Sequence, residues 1–190
     1  MLTDGEVIDL VRAGRRDEAL AAILPAYRRK VFGLAYSFLR SREAAEDVAQ
    51  EVFIKVWRAL GEFDGRASLS TWVYTITRNS SLSALRARRN EKSLSSPDAL
   101  EEIEVIDETA SAETAASDAA LMRLVNGLPD KQRQVVTLFY MQEQSHEEVS
   151  AMLGMPVGTV KTLLHRARSR LGAAASGTSG EAPGAQEADA

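Results

Sequence analysis

Apolar residues recur every three or four positions along most of this 190-residue chain, and that period limits its fold more than any other feature. Two such stripes fall in the first half: Tyr27, Val31, Leu34, Ala35 and Phe38, then Ala45, Val48, Val52 and Val56. Residues with these spacings share one face of an α-helix, and no segment has the convincing alternation of a half-buried strand. The sequence therefore predicts an all-α protein.

Short polar residues predict where helices begin. Thr3 and Ser145 each precede a glutamate by three residues, Glu6 and Glu148, which is the pattern of a capping box. Ser41 is a third candidate cap. After a short first helix, the predicted helices run over about 25–39, 41–60, 71–89, 118–126, 129–142, 147–153 and 157–171.

Charge and composition divide the chain into two small helical domains, residues 1–90 and 118–172. Residues 91–117 are predicted to form a flexible acidic linker, and residues 173–190 a disordered tail. The net charge of −4 hides a contrast of +4 over residues 1–90, −8 over 91–120, +3 over 121–172 and −3 over 173–190. Two basic blocks favour contact with a polyanion, although solvated surface charge is the alternative.

Motifs for catalysis and metal binding are incomplete. The chain has no cysteine, and its two histidines are His146 and His165. His146-Glu147 begins like the zinc motif His-Glu-x-x-His, but Ser150 stands where the second histidine is needed. Neither a phosphate-binding glycine loop nor a Gly-x-Ser-x-Gly elbow is found. We therefore expect no catalysis and no cofactor.

The sequence also bears on the location of the protein. No apolar run reaches the length of about 18 residues that a membrane-spanning helix needs. Asp4, Glu6 and Asp9 occupy positions where a signal peptide would have a basic start and an apolar run. We therefore expect a cytoplasmic protein without membrane insertion.

The segment from Ser145 to Leu171 predicts a helix-turn-helix. One face of its last helix is apolar and should be buried: Val157, Val160, Leu164, Ala167 and Leu171. The opposite face carries the candidate DNA-binding residues: Thr159, Lys161, Thr162, His165, Arg166 and Arg168. Lysine and arginine donate to guanine in the major groove, and threonine hydroxyls adapt to several partners. A basic, solvated helix in a bundle is the alternative.

Residues 128–171 resemble the promoter −35-reading domain of extracytoplasmic-function sigma factors of bacterial RNA polymerase. The specific part is Gly158-Thr159-Val160-Lys161 and His165-Arg166-Ala167-Arg168, followed by Leu171. Upstream, Asp47-Val48-Ala49-Gln50-Glu51-Val52-Phe53 resembles the polymerase-docking helix of this family, and Phe63 to Asn79 resembles its −10-reading segment. The three blocks follow the family's order, and the resemblance covers about residues 20–90 and 120–171.

This resemblance implies a factor that binds core RNA polymerase, recognises promoter DNA and assists its melting. It assigns core-polymerase binding to four residues: Asp47, Gln50, Glu51 and Ile54. In this family the corresponding face grips a coiled coil on the polymerase clamp, and a mixed acidic, amide and apolar stripe suits a protein partner. An anti-sigma factor is also expected, both from the family and because the chain has no sensing module.

For the −10 element, the resemblance implies a DNA-opening segment from Gly65 to Asn79. The candidate DNA-binding residues are Arg66, Ser68, Ser70, Trp72, Arg78, Asn79 and Arg86. The polar loop and Asn79 would form a pocket for an extruded base, whose unstacking costs on the order of a few kcal/mol. The arginines would hold phosphates of the opened strand. Trp72 either stacks on bases or belongs to the core.

Two positions depart from the family pattern. Ser83 stands where an acidic or amide side chain is frequent, and Leu163 where arginine is frequent. Leu163 contacts a thymine methyl or nothing, so arginine there is expected to add DNA affinity without removing a contact.

Two other functions stay open: a stand-alone dimeric helix-turn-helix regulator, and a helical interaction adaptor.

Overall fold

The computed structural model describes residues 3–94 and 120–178, and in these ranges the chain is helical, with no strand. The helices are α1 (Asp4–Arg12), α2 (Arg16–Leu39), α3 (Arg42–Ala59), α4 (Leu69–Leu94), α5 (residues 120–126), α6 (Asp130–Val136), α7 (His146–Leu153) and α8 (Val157–Thr178). A 3₁₀ turn, Leu60–Glu62, follows α3, and a π-helical turn, Thr137–Met141, follows α6. The predicted all-α class is confirmed.

The predicted caps are present. The Thr3 hydroxyl accepts from the Glu6 backbone N–H at 3.3 Å, and Oε2 of Glu6 accepts from the Thr3 N–H at 2.7 Å. Ser145 and Glu148 form the second capping box, at 3.2 and 2.8 Å. Ser41 caps α3. Each cap satisfies backbone N–H groups that the first turn of a helix leaves without a partner.

Three helices are longer than their sequence patterns predicted. α4, predicted over 71–89, runs over Leu69–Leu94 and so enters the segment predicted as linker. α2 begins at Arg16, so Pro25 lies inside it, and the turns before the proline are held by buried Ala19 and Ile23. α8 continues past Leu171 to Thr178, which moves the end of the helix into the segment expected to be disordered. Alanine has the highest helix propensity, and three alanines follow Gly172. The first residues of the helix predicted over 118–126, and the predicted linker from residue 95, lie outside the described residues.

The first half of the chain is built on mutual packing of α2, α3 and α4. The apolar stripes seen in the sequence supply its interior, with Val31 and Leu34 from α2, Val52 and Val56 from α3, and Val73 from α4 all buried. The short α1 packs on α2 and on the 3₁₀ turn. This bundle leaves one long face of α3 and one of α4 in solvent.

In the second half, α8 packs on α6 and α7. Val160, Leu164 and Ala167 of α8 are buried together with Val149 and Met152 of α7. Gly154 ends α7 in the left-handed conformation, with φ of 62°, which favours glycine and turns the chain sharply into α8. The predicted helix-turn-helix is therefore present. Its expected buried face is confirmed at Val160, Leu164 and Ala167, whereas Val157 and Leu171 are half-buried.

The two halves contact each other along α2 with α6 and α4 with α7. Arg133 of α6 is 1% exposed, and its Nε donates to the carbonyl oxygen of Ser37 in α2 at 2.8 Å. Its other nitrogens bind the Leu128 carbonyl and the Asp130 carboxylate, at 2.9 and 2.7 Å. Burial lowers the pKa of Arg133, but these three acceptors compensate much of the cost of burying its charge.

A second buried hydrogen bond joins the halves. The Tyr74 hydroxyl in α4 donates to Oε1 of Gln142 at 3.2 Å, and both side chains are buried. Burial raises the pKa of the Tyr74 phenol, so it stays a neutral donor. Further along α4, a Cβ placed on Gly154 would lie 3.7 Å from a guanidinium nitrogen of Arg78. The −10 candidate helix therefore touches the helix-turn-helix directly.

Candidate nucleic-acid and protein interfaces

The four residues expected to bind polymerase lie on the solvent face of α3. Asp47, Gln50, Glu51 and Ile54 are all exposed, and Ile54 is 51% exposed although it is a large apolar residue. Glu51 pairs with Lys55 at 2.6 Å, but both side chains are about half in solvent, so this pair adds little stability. Burial of Val48, Val52 and Val56 fixes the orientation of this exposed stripe.

Part of the stripe borders a cleft of about 1150 Å³ between the two halves. Gln50 and Ile54 line it from α3, and Leu121 and Met122 line it from α5. Leu121 and Met122 are 50% and 45% exposed. Apolar side chains this exposed, in one concave surface, are typical of a binding site for another chain.

The loop before α4 is held at its ends and exposed in the middle. Phe63 packs on Trp72 with ring centroids 5.1 Å apart, and both rings contribute to the core. Ser68 caps α4, because its hydroxyl accepts from the Thr71 N–H at 3.2 Å. Arg66 is almost fully exposed and pairs with Asp64 at 2.9 Å. The Ser68 hydroxyl lies 3.0 Å from that of Ser70.

On α4, the candidate −10 residues share one stripe. Trp72, Asn79 and Arg86 follow at intervals of seven residues, which is close to two helical turns, and Ser83 lies between the last two. Asn79, Ser83 and Arg86 are exposed, whereas Trp72 is half-buried. Arg78 lies beside the stripe and donates to Oδ1 of Asn79 at 3.1 Å. The stripe therefore runs from the loop along the solvent face of α4.

All six candidate −35 residues are exposed, opposite the buried face of α8: Thr159, Lys161, Thr162, His165, Arg166 and Arg168. The Thr162 hydroxyl donates to the Gly158 carbonyl at 2.9 Å, which leaves its oxygen to accept from an amino group of a DNA base. Within the described residues, the side chains of Lys161 and Arg166 form no such hydrogen bond with another part of the protein. A helix with one buried face and a basic opposite face fits a major groove.

Tyr140 belongs to the same surface and was missed in the sequence. Its hydroxyl accepts a hydrogen bond from Nε of Arg168, whose guanidinium lies 5.6 Å from the centre of the tyrosine ring. Phe139 packs next to it against His146, with ring centroids 4.6 Å apart and the ring planes tilted by 41°. Tyr140 and Arg168 are 28 positions apart and lie on different elements. The spacing of residues within one helix therefore could not predict that they are in contact.

One expectation about this surface is wrong. Leu163 was expected to make no contact that arginine would remove, but it is half-buried and packs against the core of the second half. On α8, Leu163 lies at the border between the buried face, which includes Val160 and Leu164, and the basic face. Its side chain therefore points partly inward. An arginine there would lose apolar packing and desolvate part of a charged side chain.

Two negative observations apply to residues 3–94 and 120–178 only. No group of three or more His, Cys, Asp or Glu residues lies close enough there to hold a metal ion. None of the helices in these ranges is long and apolar enough to cross a membrane.

Comparisons with known proteins agree with this division into two halves. Residues 24–91 match the family model of Sigma-70 region 2, and residues 118–171 match that of Sigma-70, region 4. The chain is 34% identical to the ECF RNA polymerase sigma factor SigW of Bacillus subtilis over 174 residues, 86% of this chain and 92% of that one. It is 31% identical to the ECF RNA polymerase sigma-E factor of Escherichia coli over 180 residues, 90% and 93% of the two chains.

A solved structure has the same two-part architecture. The fold is similar to that of the sigma factor RpoE of Bartonella quintana, determined in complex with the anti-sigma factor NepR. The TM-score is 0.70 and the identity 27%, over 80% of this chain and 92% of the other.

Proposed function

This chain belongs to the extracytoplasmic-function sigma factors. We propose that three of its surfaces have separate roles in transcription initiation: one binds core RNA polymerase, one binds the −10 element and one binds the −35 element. As a member of this family it binds core RNA polymerase, recognises −35 and −10 promoter elements and assists DNA melting. The observation that carries the proposal is that each of the three predicted sets is anchored by a buried face. All residues of the docking and −35 sets are exposed, and in the −10 set Arg66, Asn79 and Arg86 are exposed while Ser68, Ser70, Trp72 and Arg78 are half-buried.

The −35 element is read by α8. Lys161, Thr162, His165 and Arg166 enter the major groove together, because they are neighbours on the exposed face opposite Val160 and Leu164. Thr159 and Arg168 flank them and hold phosphates, and the hydroxyl and ring of Tyr140 fix the Arg168 guanidinium. Arginine at a base edge contributes specificity, whereas arginine at a phosphate contributes affinity that depends on salt.

The −10 element is read by the stripe on α4 and the loop before it. Ser70 and Asn79 bind an extruded base, Trp72 supplies the edge of the pocket, and Arg66, Arg78 and Arg86 hold the single strand. Because Ser68 is occupied in capping α4, its role is to fix the loop as well as to contact DNA.

Core RNA polymerase is bound by the exposed stripe on α3, which consists of Asp47, Gln50, Glu51 and Ile54.

The arrangement of the two halves in this structure is a closed form that has to open on a promoter. Elements at −10 and −35 lie about 25 base pairs apart, or about 85 Å along B-DNA at about 3.4 Å per base pair. Here Arg78 of the −10 surface lies against Gly154, at the turn leading into the −35 helix. The two reading surfaces cannot reach elements that far apart until the α2–α6 and α4–α7 contacts are broken.

An anti-sigma factor is the partner of the cleft. The structure of RpoE, whose fold is similar, contains one, and this cleft combines exposed Leu121, Met122 and Ile54 with basic Lys30 and Arg123. An amphipathic helix with acidic flanks has the complementary chemistry. Such a partner would cover Gln50 and Ile54 and hold the closed form at the same time.

The remaining assignments follow from this role. The relatives are initiation factors, and in the proposed function the polymerase, not this chain, carries out the catalysis. The chain acts in the cytoplasm, where polymerase and promoter DNA are. The working domains are residues 1–90 and 118–172, joined by a linker over 91–117 and followed by a tail over 173–190. The alternative of a stand-alone dimeric regulator is not favoured, because it gives no role to residues 24–91, which match Sigma-70 region 2.

Reconstituted transcription tests the proposal. Purified core polymerase is mixed with the chain on a genomic promoter library, and transcript starts are mapped with and without it. We expect new starts that need both components, each preceded by common −35 and −10 sequences. DNA binding by the chain alone, with no new start, would support the dimeric regulator instead.

A further inference from the structure

The loop that carries the proposed −10 pocket is held from behind by α1, a helix that lies before the segment matched to Sigma-70 region 2. Oδ2 of Asp4 accepts a hydrogen bond from the backbone N–H of Leu69, the first residue of α4, at 2.9 Å. Asp4 and Leu69 are 65 residues apart in sequence. This bond therefore fixes the start of α4 relative to α1.

A second contact holds the middle of the loop. Gly65 has φ of 77°, and a Cβ placed on it would lie 2.6 Å from Cδ1 of Ile8. The α1 side of the contact is itself anchored, because Val7 is 1% exposed. Ile8 and Asp4, one turn apart on α1, thus support Gly65 in the middle of the loop and Leu69 at the start of α4.

The bond from Asp4 suits the position chemically. The first N–H groups of a helix have no partner within the helix, and its N-terminus carries a partial positive charge. Ser68 satisfies the Thr71 N–H through its hydroxyl and the Trp72 N–H through its carbonyl. The Leu69 N–H is bound by Asp4 instead, so the first turn of α4 depends on both a local cap and a distant one.

We propose that Asp4 is a positioning residue for −10 strand capture: its bond to Leu69 holds Ser70 and the α4 stripe in the geometry that binds an extruded base. This inference rests on the proposed −10 function. Capture of a flipped base repays the cost of unstacking only if the pocket is already ordered, because ordering a loop on binding reduces affinity. Asp4 touches no DNA in this account; it acts through the position of α4.

The test compares two aspartates on one helix. Asp4→Ala removes the acceptor, and Asp4→Asn keeps a side-chain oxygen that can accept from the Leu69 N–H. Asp9→Ala is the matched control, because Asp9 is an exposed aspartate of the same helix and its loss changes the net charge equally. Each full-length variant is assembled with core polymerase. Affinities are measured for core, for a −35 duplex and for a single-stranded −10 oligonucleotide.

We expect Asp4→Ala to weaken binding of the −10 oligonucleotide about two- to thirtyfold, the range that corresponds to loss of a helix cap. Affinities for core and for the −35 duplex should stay within twofold of wild type. Asp4→Asn should recover most of the loss, and Asp9→Ala should behave as wild type. Permanganate reactivity at −10 on a duplex promoter should fall in the same order.

Two results would overturn the proposal. The first is unchanged −10 binding by Asp4→Ala, and the second is a parallel loss of core, −35 and −10 binding, which would mean that Asp4 serves only folding. A further variant, Asn79→Ala, tests the proposed −10 function on which the role of Asp4 rests. If Asn79→Ala leaves −10 binding unchanged, the −10 assignment itself is wrong and the role of Asp4 falls with it.

Discussion

The hydrogen bond between Tyr74 and Gln142 gives the sharpest perturbation of the closed form. Tyr74→Phe removes one oxygen and leaves the ring, which packs edge-on against Tyr27 with centroids 6.0 Å apart. The first half should therefore keep its fold. The acceptor Oε1 of Gln142 would then be buried without its partner. An unsatisfied buried group costs about 1–3 kcal/mol, and only the closed form carries that cost.

We therefore expect Tyr74→Phe to shift the equilibrium between closed and open forms towards the open form by about five- to 150-fold. The chain has no cysteine, so Glu62→Cys and Arg170→Cys, both at exposed positions, allow one dye on each half. Single-molecule energy transfer in the absence of polymerase then measures the populations. The variant should show a larger fraction of molecules with low transfer.

Tyr140→Phe is the control, because it removes the same atom from a pair that lies within the second half. It should leave the distance distribution unchanged. If Tyr74→Phe also leaves the open fraction within twofold of wild type, the bond does not hold the halves together. The interface would then have to rest on Arg133 and apolar packing, without a contribution from Tyr74.

Three further predictions concern the binding surfaces. Replacing Asp47, Gln50 and Glu51 by Ala should weaken binding to core polymerase more than twofold in a titration, with circular dichroism unchanged because all three are exposed. Arg168→Ala should flatten the salt dependence of −35 binding by about one unit and weaken all sequences alike, as loss of a phosphate contact does. Leu163→Arg should lower the melting temperature without raising −35 affinity, because Leu163 packs against the core; a gain in affinity at equal stability would contradict this.

The elements of the fold were predictable because their signals are local. The spacing of Val160, Leu164 and Ala167 is enough to define a buried helix face, and all three are buried. The capping boxes need only four residues each, and both are present. The exposure of the three candidate surfaces follows from the same periodicity, because a helix that buries one stripe exposes the opposite one.

The contacts between elements were not predictable, because nothing local encodes them. Arg133 has the sequence environment of a solvated helix residue, yet it is the buried hydrogen-bond donor to Ser37, 96 positions away. Tyr74 and Gln142 are 68 positions apart, and Asp4 and Leu69 are 65. Leu163 shows the limit within one helix, since its angular position between two faces left its burial undecided until the packing was known.

Selection of binding sites from a promoter library with a randomised −35 element tests whether α8 reads that element. Holoenzyme assembled with wild type should select one −35 sequence, and Arg166→Ala should relax the preference at one position and weaken the selected site by about 1–3 kcal/mol. Lys161→Ala should relax a different position. Identical preferences for wild type and both variants would contradict the assignment of α8 as the −35 reader.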